Sequence, residues 1–216
     1  MMVTLVLGSA AVCSDGYRGQ VRAVVLDPDA GTVTHLVVEP AGRSGLARLV
    51  PLNLVDLGLI DATADVARLH CTEAEFQGLE AAEATLAEFA LGYQFPVQLL
   101  PTGWRGTGEL ATEGGTIPRI PERETIDVIP PGEVEEGRGA RVHATDGDVG
   151  PIRALRIDPA TARVTHVLAR ERHLLAGKDV AIPFGRVAGF DDGIRLSITR
   201  QQVRDLPPAD AGPCAG

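Results

Sequence analysis

Residues 14–40, SDGYRGQVRAVVLDPDAGTVTHLVVEP, return as residues 145–171, TDGDVGPIRALRIDPATARVTHVLARE, at a constant offset of 131 with no gap. Ten of these 27 positions are identical, and six of the other seventeen exchange one apolar residue for another. The chain therefore carries an internal duplication, and its architecture must be built from two copies of one unit. With 216 residues, 44% of them apolar, there is enough chain for two small cores. The expected partition is repeat one over 1–79, a connector over 80–136, repeat two over 137–208 and a disordered tail over 209–216.

Within each copy the local signals are those of strands and tight turns. Asp15-Gly16 and Asp146-Gly147 supply the positive-φ positions of a hairpin between a short strand and a longer one. The longer strand, 19–26 and 150–157, ends at Asp27-Pro28 and Asp158-Pro159, where Asp opens a turn and Pro presets the next φ. A third strand follows over 32–39 and 163–170. Its faces are both apolar, Val33, His35 and Val37 against Leu36 and Val38, which predicts cover on both sides as in a small closed barrel.

The remainder of the unit recurs with a shifted offset. ARLVPLNLV at 47–55 corresponds to DVAIPFGRV at 179–187, and Pro51 and Pro183 restrict those strands to an edge or a strand end. Arg68-Leu69 and Arg195-Leu196 close a last strand. Thr72 with Glu75, and Thr199 with Gln202, then have capping-box spacing and predict a short terminal helix in each copy. Between the copies, six prolines between Pro96 and Pro131 point to an extended connector, with Ile126, Val128 and Ile129 as an extra edge strand before repeat two.

Charge and cysteine content narrow the function classes. A net charge of -9, with carboxylates among the arginines of both repeats, leaves no basic face for phosphates and disfavours direct nucleic-acid binding. Three cysteines, Cys13, Cys71 and Cys214, are too few and too irregularly spaced for a disulfide framework or a CxxC site, which points to a reducing, cytoplasmic setting. The opening MMVTLVLGSAAVC imitates a lipoprotein signal but lacks a basic start, has Val12 before the cysteine, and runs into the first strand of the repeat at residues 11–13. No stretch approaches the ~20 apolar residues of a membrane-spanning helix.

The order D-G-x-x-G-x-V/I (Asp15, Gly16, Gly19, Val21; Asp146, Gly147, Gly150, Ile152), then D-P, then V-T-H (Val33–His35; Val164–His166), then V/I-P, resembles the PRC-barrel family. That β-barrel occurs in the cytoplasmic part of the photosynthetic reaction-centre H subunit and in the C-terminal half of the ribosome maturation factor. The two resemblances cover about two-thirds of the chain, and HATDGDVG with THVLARERHLLAGKDVAIP is most similar to bacterial stand-alone tandem members. The resemblance implies an all-β fold of two tandem small antiparallel barrels, each capped by a short C-terminal helix. It also implies a non-catalytic adaptor that holds protein partners; small barrels with apolar outer strands readily pair, so a second copy of the chain is among the expected partners, and no cofactor is expected. A shared fold does not by itself transmit a function.

Candidate chemical residues are few. His35 and His166 occupy equivalent positions, yet no HxH, HxxxH or HExxH spacing accompanies them, so packed histidines are expected rather than metal ligands. His70 and Cys71 are neighbours on a strand and point to opposite faces, which prevents a nucleophile–base pair. The aspartates of the DP turns are too few for a calcium loop. The basic loop between the third and fourth strands, Arg43 and Arg48 in one copy and Arg170, Arg172, His173 and Lys178 in the other, with Leu174 and Leu175 beside it, is the candidate partner-binding surface. Two other readings stay open: a ribosome- or RNA-processing-associated factor, and a small-ligand binder or enzyme with a site between the barrels around His35, His166 and Trp104.

Overall fold

In the computed structural model, residues 2–41, 46–57, 66–85, 109–112, 115–118, 125–171 and 178–209 are described. The fold is all-β with short helical turns. Contacts divide it into two units, Met1–Glu80 with Ile129–Gly216, and Ala81–Val128. In the smaller unit, β7 (Glu83–Thr85) pairs antiparallel with β10 (Thr125–Asp127), and β8 (Glu109–Thr112) pairs with β9 (Gly115–Pro118). Of the extra edge strand expected at Ile126, Val128 and Ile129 before repeat two, Ile126 lies in β10, which pairs with β7, and Val128 and Ile129 follow it outside the strand.

Repeat one comprises β1 (Val3–Val6), β2 (Ala10–Val12), β3 (Arg18–Asp27), β4 (Thr32–Pro40), β5 (Arg48–Pro51), β6 (Val66–Arg68) and α1 (Glu73–Gln77). Repeat two comprises β11 (Val134–Gly137), β12 (Arg141–Ala144), β13 (Gly147–Ile157), β14 (Val164–Glu171), β15 (Lys178–Pro183), β16 (Val187–Gly189), β17 (Ile194–Leu196) and α2 (Arg200–Arg204). The turns follow their sequence signals. Gly16 and Gly147 have φ of +87° and +136°, and the Asp27 carboxylate accepts from the amides of Asp29 and Ala30 at 2.9 Å. Both capping boxes form, and the hairpin aspartates also serve the helices. Asp15 accepts from the Glu73 amide and Asp146 from the Arg200 amide, each at 2.7 Å.

The sheets read β5-β4-β3-β2-β6 and β15-β14-β13-β12-β17-β16. Pro51 and Pro183 end the edge strands β5 and β15, and one-turn 3-10 helices follow at Leu52–Leu54 and Phe184–Arg186. The strands are not all antiparallel as expected: β2 pairs parallel with β6, and β12 with β17. After the 3-10 turn the chain doubles back, so β6 runs alongside β2, and β17 alongside β12, in the same direction. Bulges at corresponding places, between Val21 and Ala23 and between Ile152 and Ala154, bend β3 and β13 and let each sheet curl.

The long strands leave an edge that their own repeats do not fill. On the side away from β4, β2 covers only Arg18–Gln20 of β3. The N–H and C=O groups of Ala23–Leu26 on that side require another partner. That partner is β11, with Val134 opposite Leu26 and Gly137 opposite Ala23. In repeat two, β1 takes the same place on β13, with Val3 opposite Ile157 and Val6 opposite Ala154. The offset of 131 converts one set of pairs into the other, so each repeat donates its first strand to its copy.

The chain crosses between copies at Gly8 and Gly139, with φ of +90° and +96°. A Cβ at Gly8 would also lie 2.9 Å from the Arg138 guanidinium, which leaves glycine as the fitting residue. On either side the bonds match: Leu7 N–H donates to Arg153 O at 2.9 Å, and Arg138 N–H donates to Arg22 O at 3.0 Å. A two-fold pseudo-axis passes between Thr32 and Arg163, which pair antiparallel. There Val33 N–H donates to Ala162 O at 2.9 Å and Val164 N–H to Gly31 O at 2.8 Å.

This exchange replaces the two separate cores expected from the sequence with one. Leu5 and Leu7 of the opening apolar run join Leu155, Ile157, Ile182 and Ile194 of repeat two in the same cluster as Val24, Leu26, Leu36 and Phe76 of repeat one. The other faces of β3 and β4 are also covered, since Ala23, Val25 and Val37 are fully buried. A smaller cluster of Ala154, Leu168, Ala181 and Ala209, with Val6 against it, does the same for repeat two.

Candidate functional site

Of the basic loop read as a docking surface, Arg43, Arg172, His173, Leu174 and Leu175 lie outside the described residues, as does Trp104. Arg48 and Lys178 open the two edge strands and share an internal task. The Arg48 guanidinium donates to the Leu79 carbonyl at 3.0 Å, and the Lys178 ammonium donates to the Leu206 carbonyl at 3.2 Å. Backbone bonds from Leu49 N to Glu80 O and from Ala209 N to Asp179 O reinforce each tie at 2.9 Å. These two cations therefore hold the segment after each helix against the sheet edge. Arg170 lies 4.0 Å from Asp179 and is half exposed, so it is the described member of the loop set left to face solvent.

The two histidines sit in matching hydrogen-bond arrangements. His35 Nδ1 is 3.0 Å from Thr34 Oγ1, and His166 Nδ1 is 3.1 Å from Thr165 Oγ1. The Thr34 hydroxyl lies within hydrogen-bond distance of Glu133 Oε2 at 2.7 Å and of the Val25 carbonyl at 3.2 Å, and His35 Nδ1 is 3.7 Å from Glu133 Oε2. Glu133 immediately precedes the exchanged strand β11. Its counterpart Met2 precedes β1 and places its sulfur 3.5 Å from Thr165 Oγ1. Burial, with a smaller contribution from Arg156, holds His166 below the ordinary histidine range. From the Thr32–Arg163 bridge, β4 and β14 depart in opposite directions. Three residues along each strand set His35 and His166 apart by on the order of 20 Å. They do not converge on one site, and among the described residues no three His, Cys, Asp or Glu side chains cluster where a metal ion would fit.

A feature that spacing alone did not reveal is a cleft of about 370 Å³ between the DP turn of repeat one and the 3-10 turn and β16 of repeat two. Pro28, Val134, Phe184, Val187 and Phe190 are its larger apolar lining residues, and Asp29 and Asp191 line it as well. The Phe184 and Phe190 rings are 6.2 Å apart between centroids. Phe184 is seated over Gly31, where a Cβ would come within 2.6 Å of the ring. Two-fold symmetry fails here, because Leu52 holds the place of Phe184 in repeat one. The sequence carried the substitution of Phe for Leu, but only the approach of the DP turn from the other repeat makes it a cleft.

No described helix is long and apolar enough to cross a membrane. No family model matches this sequence, and no curated protein matches it.

Proposed function

We propose that the chain is a non-catalytic cytoplasmic adaptor of the tandem PRC-barrel type, and that it grips a protein partner in the Phe184–Phe190 cleft. The observation that carries this reading is the break in symmetry. Two copies are locked into one body by strand exchange, and where repeat one keeps Leu52, repeat two has a pair of phenylalanines beside two carboxylates. The occupant that fits is a segment of a partner protein presenting an arginine or lysine next to an apolar side chain. Its cation would meet Asp29 and Asp191, and its stem would lie along the rings. Asp191 is 3.9 Å from Arg195 and highly exposed, so its carboxylate exchanges partners readily.

A photo-crosslinking amino acid placed at Ala188, on the cleft rim, tests this in the native host. We expect one protein to be crosslinked through a basic, apolar segment located by mass spectrometry. The crosslink should fall at least about tenfold when Phe190→Ala and Asp29→Asn are combined, as for an interface anchor. A small-molecule adduct, an acidic segment, or a yield unchanged by the double substitution would contradict the reading.

A further inference from the structure

Cys13 and Cys71 are 58 residues apart, and the fold brings their sulfurs to 3.9 Å. Both are free thiols and both are buried, 5% and 2% exposed. Cys13 follows β2, and Cys71 precedes the N-cap of α1. The backbone holds these two places together: Ser14 N–H donates to Cys71 O at 2.9 Å, Ser14 Oγ donates to the same carbonyl at 3.1 Å, and Leu69 N–H donates to Val12 O at 2.8 Å. Repeat two has Ala144 and Ile198 at the corresponding positions, so the pair belongs to repeat one alone.

We propose that Cys13 and Cys71 form a redox-controlled disulfide that closes repeat one on itself. The oxidant class is a hydroperoxide. One thiolate attacks the peroxide oxygen, the O–O bond breaks, and a sulfenic acid and hydroxide result. The second thiol then displaces the sulfenic hydroxyl, forming the S–S bond and releasing water. In sum, two thiols and hydrogen peroxide give one disulfide and two waters, with two electrons passing from sulfur to oxygen. The sulfurs, 3.9 Å apart on backbone segments hydrogen-bonded to each other, must close by about 1.9 Å to reach the S–S bond length. Burial, reinforced by the neighbouring Cys71 sulfur, pushes the Cys13 thiol up to about 12, and burial raises Cys71 as well. The dithiol is accordingly slow to react and survives in a reducing compartment until oxidant persists. Once formed, the bond ties the hairpin to the helix cap across a long loop and stabilises repeat one, while repeat two has no such tie.

The test uses the full chain with Cys214→Ser, treated with hydrogen peroxide, then denatured and alkylated. We expect a mass loss of two hydrogens, no alkylation at residues 13 and 71, and a crosslinked peptide joining them. The thermal midpoint should rise by several degrees and return on reduction. Cys13→Ala, which copies repeat two, should show no crosslink and no peroxide-dependent shift. Two alkylatable thiols after prolonged oxidation, separate sulfinic acids, or a crosslinked form with a lowered midpoint would each overturn the proposal. None of these outcomes depends on the cleft, so this proposal and the adaptor reading fail separately.

Discussion

Leu5→Ala is expected to destabilise the protein by about 3 kcal/mol, within the range for removing a buried leucine. The damage should fall on the repeat to which Leu5 does not belong in sequence. Leu5 is 3% exposed and sits on β1 opposite Leu155, itself 1% exposed, at the far half of β13. Truncation leaves a cavity between the exchanged strand and its acceptor, and the amides of Ala154–Ile157 should lose hydrogen-exchange protection first. Those amides of Ala23–Leu26 that face β11 should keep theirs longer. Urea unfolding gives the magnitude and site-resolved exchange the location. Equal loss in both long strands, or loss confined to β3, would not fit the exchange.

At the position in β11 equivalent to Leu5 stands Glu136, and its replacement by leucine should be among the largest stabilising changes available. Glu136 is 3% exposed and lies opposite Val24, with no carboxylate–cation bond of its own among the described residues. Desolvation, and then the charge of Glu135, raise its pKa from 4.5 to about 7. Glu135 itself is held by Arg22 at 3.1 Å, so that cation is already engaged. Between pH 4.5 and 7 the folded state keeps a proton that the unfolded chain releases, and stability must fall as pH rises through this interval. The difference corresponds to about 3 kcal/mol lost on going from pH 4.5 to above 7. Glu136→Leu should remove that part of the slope and raise the unfolding midpoint at pH 8. Denaturation curves at pH 5 and pH 8 check both, and a wild-type slope that survives the substitution would assign it to other groups.

What could be read in advance, and what could not, separates along one physical line. Turns, caps and strand ends depend on residues close in sequence. Thus Asp15-Gly16, Asp27-Pro28, Pro51 and the Thr72 and Thr199 capping boxes all lie where their chemistry predicts. The choice of a strand's partner depends on which edge is left bare, and that information is distributed. VTLV at 3–6 resembles part of a signal, and VEEG at 134–137 resembles a connector, because the two donated strands share little composition. A faint signal existed upstream of the obvious repeat, where Val3 matches Val134 and Gly8 matches Gly139 at the same offset of 131. Likewise nothing in the spacing of Cys13 and Cys71 announces contact, since a parallel pairing of β2 with β6 creates it. Arg48 and Lys178 looked like loop cations for a partner, and the carbonyls they bond belong to segments placed only by the packed helices.

The reciprocal donation of first strands is tested most directly by engineered crosslinks in a background of Cys13→Ala, Cys71→Ala and Cys214→Ser. Thr4 lies opposite Arg156 in the exchanged arrangement, whereas Val25, now opposite Glu135, is the residue Thr4 would face if β1 stayed in its own repeat. Oxidation of Thr4→Cys with Arg156→Cys should give a monomer crosslinked between residues 4 and 156, while Thr4→Cys with Val25→Cys should remain reduced. A monomeric link between residues 4 and 25, with none between 4 and 156, would contradict the account.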